Sequence, residues 1–358
     1  MKRGITVSDN SFDILRLFAA LQIAITHYLN LSMLTYGKDW GGDGILWLGK
    51  RILTLFPGLI ILLTISGFLM GETLNRVRDR RTFVWKRFRR IYPGLWINML
   101  FIIAELLCLL GWKNVPFRQM VRWALVQGSG VAYTPFFFQS LATGSLNGTL
   151  WAIMVELQLY FLIFIFWKGI LHWNRRTWNA GLALTAALNL MCWLLEEKAL
   201  LPEGAMKLLQ RSFLPYLLWF YLGLYLWHYR DQILPALADF WPLLLGGYTA
   251  YKACWQEFQW SIPGYYADLI TGILLPVTVL ACAYGWGRHR LKADLSYGIF
   301  LYHWPLINLI FFLDLPEKCR HIPLFLCYTA GFLLLGAMSW YGIERRIVGN
   351  RGVSHLQK

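Results

Sequence analysis

The stretch FDILRLFAALQIAITHYLNL, residues 12–31, carries Arg16 near its start and His27 well inside an otherwise apolar run. Eleven residues separate the two. At about 100° per residue that spacing comes within roughly 20° of three full turns, so both side chains fall on one helical stripe, about 16 Å apart. Asp13, one turn before Arg16, shares that face. Four further places break the apolar rule, one of them LTISGFLM with Ser66 and Gly67. NGTLWAIMVELQLYF contains Glu156 and Gln158; SYGIFLYHWPLI contains Tyr297, His303 and Pro305; WKRFRRIYP opens a span with Arg87 and Arg90 on one face. Ionisable groups inside a membrane mark a site or a proton pathway more often than chance packing. A histidine there can take, give or carry a proton near neutral pH, and an arginine can hold an anion. Each group also has a plain structural alternative. His27 would be a satisfied core histidine, Glu156 an interhelical hydrogen bond, and Arg87 and Arg90 a positive anchor. Ser66 and Gly67, in LTISGFLM, would be a small-residue packing patch.

The elements that must position these groups are membrane helices. Of 358 residues, 57% are hydrophobic and only 15% charged, with a mean hydropathy of +0.46. A soluble domain carries about 25% charge. Ten segments approach the ~20 residues a bilayer needs: 13–34, 45–71, 91–111, 147–167, 177–195, 212–228, 233–251, 268–287, 294–313 and 322–343. The seventh is the weakest. Pro57, Pro276 and Pro305 fall inside spans, which requires neighbouring groups to satisfy the carbonyls they free. With both termini cytoplasmic, inner segments hold 21 of the 34 basic residues, eight of them in NRVRDRRTFVWKRFRR. That fits the positive-inside rule. The net charge of +15 is therefore accounted for by topology and anionic lipid, with no call for nucleic acid. The six cysteines show no CxxC pair and no metal-ligand spacing. In the longest outer loop, 112–146, FRQMVRWALV reads as a short interfacial helix beside an aromatic rim. Asn147-Gly148-Thr149 fits a glycosylation acceptor but abuts a span and is discounted.

Depths follow from counting residues inward from span edges. His27, about 20 Å above the inner edge, and Glu156, about 13 Å below the outer edge, reach similar heights in the outer half. His303 falls lower, and Arg16, Arg87 and Arg90 all lie at the inner edge. A basic mouth below a His/Glu pair suits an anionic donor entering from the cytoplasm, with chemistry higher up.

Taken in order, the Arg16/His27 helix, SGFLM, KRFRRIYP, LWAIMVELQLYF and SYGIFLYHWPLI resemble acyltransferase family 3, over about residues 11–346. Where the family often has Ser-Val-Glu, this chain has Met154-Val155-Glu156. The resemblance implies an all-α, polytopic integral membrane protein, about ten transmembrane helices around a central channel, with residues 1–346 as the acyltransferase domain and 347–358 as a short cytoplasmic tail. It implies multi-pass residence in a bacterial inner membrane among its lipids. The implied reaction moves an acetyl group from cytoplasmic acetyl-CoA to a hydroxyl of a surface polysaccharide or its lipid-linked precursor, without a metal. In that reading His27 is the catalytic base or an acyl-carrying nucleophile, and Glu156 orients it. Arg16, Arg87, Arg90, Tyr297 and His303 contact the donor. A proton-coupled exporter of a glycolipid or anion would use buried His, Glu and Arg equally well, but no inverted repeat is visible.

Overall fold

A computed structural model describes residues 7–37 and 44–347. The expected tail, 347–358, lies outside the described residues except for Ile347. Among the described residues fifteen α-helices follow one another and no strand occurs. They are α1 (Phe12–Tyr36), α2 (Gly44–Thr54), α3 (Gly58–Arg76), α4 (Arg80–Leu110), α5 (Phe117–Gly128), α6 (Leu150–Phe166), α7 (Arg175–Glu197), α8 (Glu203–Gln210), α9 (Leu217–His228), α10 (Arg230–Asp239), α11 (Trp241–Phe258), α12 (Leu269–Gly285), α13 (Ser296–Phe312), α14 (Leu315–Lys318) and α15 (His321–Ser339). The protein is all-α and multi-pass.

Six helical stretches among the described residues are long and apolar enough to cross a bilayer: Phe12–Tyr36, Gly44–Arg76, Arg80–Leu110, Leu150–His172, Arg175–Glu197 and His321–Ile347. The other four expected spans form helices that fall short of that measure. α9 has 12 residues, and α12 and α13 have 17 each. The weak seventh span divides between α10 and α11 around Phe240. The span expected at 45–71 is also two helices, α2 and α3. The break falls at Leu55–Pro57, where Pro57 lacks an amide proton and its ring opposes a helical approach.

The helices gather into two compact units. Of the described residues, the first comprises those up to Ala19, those of Leu55–Phe83 and those of Val155–Lys292; the second comprises those of Ala20–Thr54, those of Val84–Met154 and those from Ala293. α1, α4 and α6 each contribute to both.

In the first unit α3 and α9 approach until backbones touch. A Cβ on Gly67 would run into the Phe220 carbonyl, and one on Gly223 into that of Thr64. Lipid tails offer little hydrophobic drive for helix association, so close packing at small residues has to supply it. Gly67 is therefore the packing residue its sequence suggested.

In the second unit α13 and α15 meet the same way, with a Cβ on Gly298 falling 2.8 Å from the Gly336 Cα. The loop at 112–146 forms α5 as expected. Met120 and Trp123 face a core with Ile102, Leu106, Phe138 and Leu146. Phe117, Val121 and Leu125 point outward, as an interfacial helix requires.

Candidate active site

Pro305 in α13 organises the surroundings of the site. It has no amide proton, so the Leu301 carbonyl one turn earlier loses its helical donor. In hydrocarbon that carbonyl cannot turn to water. Asn98 of α4 and Asn147 each donate an amide N–H to it, at 3.0 and 2.9 Å. Asn147 also donates to the Asn98 Oδ1 (3.2 Å) and accepts from the Thr149 hydroxyl (2.8 Å). Asn147 is thus a buried structural residue, which agrees with discounting it as a glycosylation acceptor.

Asn308, one turn past the proline, ties down the preceding loop. Its amide donates to the Ser145 and Leu146 carbonyls (2.9 and 3.0 Å), and its Oδ1 accepts from the Thr143 hydroxyl (2.6 Å). The same loop fixes Trp304, whose Nε1 donates to the Thr143 Oγ1 (3.0 Å) and the Ser145 carbonyl (3.1 Å). The HWP sequence is therefore braced on both sides of its histidine.

His303 itself is fully buried, and His27 is half-buried. The His27 Nδ1 and His303 Nε2 lie 3.1 Å apart. The His303 Nδ1 lies 3.0 Å from the Ile299 carbonyl. The two imidazole planes differ by 19°, with ring centroids 5.4 Å apart. Trp304 presents its ring nearly perpendicular to His27, at 5.2 Å. Across from this pair, Tyr28 stacks on Tyr328 of α15 (4.7 Å), and the Tyr328 hydroxyl donates to the Ala24 carbonyl (2.9 Å). α1 is thus gripped by α15 around the turn that carries the histidine. The second nitrogen of His27, Nε2, has no hydrogen-bond partner among the described residues.

Counting from span edges placed His303 below His27, yet the rings meet at one level. Residue counts assume helices that start in one plane and stand upright, and membrane helices tilt.

Glu156 sits in the first unit, on α6. The Ser66 hydroxyl donates to its Oε1 at 3.2 Å, and the Tyr160 hydroxyl donates to the same oxygen. Ser66 and Tyr160 are themselves 3.2 Å apart. These two hydroxyls were not picked out from the sequence as part of the site. Tyr160 was findable, since it lies one turn beyond Glu156 on the same face. Ser66 comes from α3 and carried no signal beyond its packing patch.

The basic residues start their helices. Arg16 is half-buried in the second turn of α1. Arg87 (half-buried) and Arg90 (exposed) lie near the start of α4, and both have interaction partners. Arg89, between them, donates to the Ile347 carbonyl (2.5 Å). α4 begins at a cap: the Asp79 carboxylate accepts from the Thr82 amide and hydroxyl, both at 2.8 Å. Those bonds, the amide's first, hold the Asp79 carboxyl below the usual carboxylate range. Tyr297 packs on Gly94 and donates its hydroxyl to the Ile91 carbonyl (2.6 Å). Among the described residues no three His, Cys, Asp or Glu side chains gather as a metal site would require.

Chemically, the arrangement offers one imidazole held on one edge and open on the other, inside a helical membrane protein.

Comparison with known proteins identifies the family. The family described as "Acyltransferase domain" matches residues 9–341. Nodulation protein 10 of Rhizobium leguminosarum bv. viciae is 26% identical over 355 residues, covering 94% of this chain and 92% of the relative. No solved structure matches. The match spans nearly the whole described chain and includes every helix named above as a source of site residues. The chain belongs to acyltransferase family 3.

Proposed function

We propose that the protein is an O-acyltransferase that moves an acetyl group from acetyl-CoA to a hydroxyl of a surface polysaccharide or of its lipid-linked precursor. Family membership supports acyl transfer. The observation that carries the chemistry is the half-held His27: Nδ1 is engaged with His303 while Nε2 is left open.

In the direct route, the Nε2 lone pair takes the proton from the acceptor hydroxyl as its oxygen attacks the thioester carbonyl. The new C–O bond forms, the C–S bond breaks, and the leaving thiolate recovers the proton from the His27 imidazolium. The products are an ester and the free thiol of CoA. In the covalent route Nε2 attacks the thioester carbonyl, the C–S bond breaks and the CoA thiolate leaves an acyl-imidazolium; the acceptor oxygen then attacks that acyl carbon, the C–N bond breaks to restore the imidazole, and the hydroxyl proton passes to the thiolate.

Arg16, Arg87 and Arg90 hold the CoA phosphates, for which their planar forks are suited. Tyr297 flanks the donor's path, His303 stands beside His27, and Glu156, which accepts from the Ser66 and Tyr160 hydroxyls, is a second ionisable group of the reaction. The protein works as one membrane domain, residues 1–346, in a bacterial inner membrane with both termini cytoplasmic.

The test uses purified protein in liposomes, with labelled acetyl-CoA outside and a lipid-linked oligosaccharide in the bilayer. Label on the oligosaccharide together with released CoA thiol supports the reading. Movement of the lipid across the bilayer without thiol release would identify a carrier and refute it.

A further inference from the structure

The Ile299 carbonyl can only accept a hydrogen bond, so the His303 Nδ1, 3.0 Å away, carries the proton. A neutral imidazole has one N–H, which leaves the His303 Nε2 as a bare acceptor. The His27 Nδ1, 3.1 Å from that nitrogen, must then be the donor. The nearly coplanar rings, with centroids 5.4 Å apart, meet edge to edge along the in-plane lone pair. The chain of bonds therefore determines the proton on every ring nitrogen and leaves the His27 Nε2 as the lone pair.

From this geometry we infer that His303 is a positioning residue: it locks His27 in the tautomer with the proton on Nδ1 and Nε2 open for reaction.

This rests on the proposed acyl transfer by His27 and assigns His303 a role of its own within it. In hydrolytic triads a carboxylate plays the corresponding part. Here the partner is fully buried among membrane helices, where an unpaired carboxylate would be costly. A neutral imidazole accepts the same hydrogen bond without bringing a charge, and the Ile299 carbonyl holds it in the required form. Trp304, clamped by Thr143 and Ser145, packs nearly perpendicular to the His27 ring and limits its rotation.

The experiment compares wild type, His303→Gln and His303→Leu in liposomes. It measures kcat by CoA-thiol release with a lipid-linked oligosaccharide as acceptor, and the KM for acetyl-CoA. His303→Leu removes the acceptor for the Nδ1 proton, so kcat should fall about 100-fold or more with little change in the donor KM. His303→Gln supplies a side-chain oxygen near the position of Nε2 and should recover at least about tenfold of that loss. Nitrogen NMR of selectively 15N-histidine-labelled wild type reads the tautomer directly, and the proton should be found on the His27 Nδ1.

A proton on the His27 Nε2 overturns the inference whatever the variants do. So does a raised donor KM with kcat retained in His303→Leu, which would make His303 a donor contact. So does a glutamine variant no better than the leucine one. If His27→Ala keeps its rate, the acyl-transfer reading has failed instead; if His27→Ala is inactive and His303→Leu is not, only this inference has.

Discussion

Restoring an amide proton at position 305 should release the two asparagines from their task. The Leu301 carbonyl takes its donors from Asn98 and Asn147 because Pro305 offers none. Asn98→Ala removes one of those bonds and also the acceptor of the 3.2 Å bond from Asn147. Interhelical hydrogen bonds in membranes contribute about 0.6–2 kcal/mol each. The single substitution, which removes two such bonds, should thus cost about 1–4 kcal/mol. Removing Asn147 as well orphans the carbonyl, which adds about 1–3 kcal/mol. In a Pro305→Ala background the backbone N–H of residue 305 reaches the Leu301 carbonyl. Asn98→Ala should then cost about 1 kcal/mol less, roughly a fivefold difference in the unfolding equilibrium. The assay is equilibrium unfolding in mixed micelles with an increasing fraction of denaturing detergent, run on the four members of the cycle. Independent sites add within about 0.5 kcal/mol. If Asn98→Ala and Pro305→Ala add within that margin, the asparagines are not compensating for the proline and the account of this helix is wrong.

Two further outcomes follow from other parts of the molecule. Gly223→Ala drives a methyl into the Thr64 carbonyl, a backbone group that cannot swing away; it should cost about 1–3 kcal/mol in the same unfolding assay, and a stability equal to wild type would mean α3 and α9 are less closely packed than described. Arg90→Lys retains charge but loses the bidentate fork, so donor affinity should drop several-fold by direct acetyl-CoA binding; unchanged affinity in both Arg87→Ala and Arg90→Ala would leave these residues as topology anchors only.

How much was legible in the sequence can be judged residue by residue. His27 and His303 were singled out because ionisable groups in apolar helices are costly to keep. Their meeting was not readable, because their levels were counted from uncertain span edges, and an error of one turn separates contact from no contact. Pro305 announced a freed carbonyl, since its effect is local and covalent. Which side chains would answer it was hidden, because Asn98 and Asn147 reach Leu301 only through tertiary packing. Hydropathy merged 45–71 into one span because averaging over apolar residues conceals a single proline. Glu156 was visible as an expensive charge, but its Ser66 neighbour lies on another helix and looks like any small packing residue.

The most direct test of the account is the transfer rate of His27→Ala, with acetyl-CoA binding measured on the same preparation in liposomes. The arginines proposed to hold the donor are elsewhere on the chain, so binding should persist near its wild-type value. Losing a general base costs about 10²–10⁴ in rate, and losing an obligatory nucleophile costs more. Transfer should therefore fall by at least about 100-fold. A His27→Ala protein that binds donor and acetylates its acceptor at close to the wild-type rate would rule out His27 as the catalytic group.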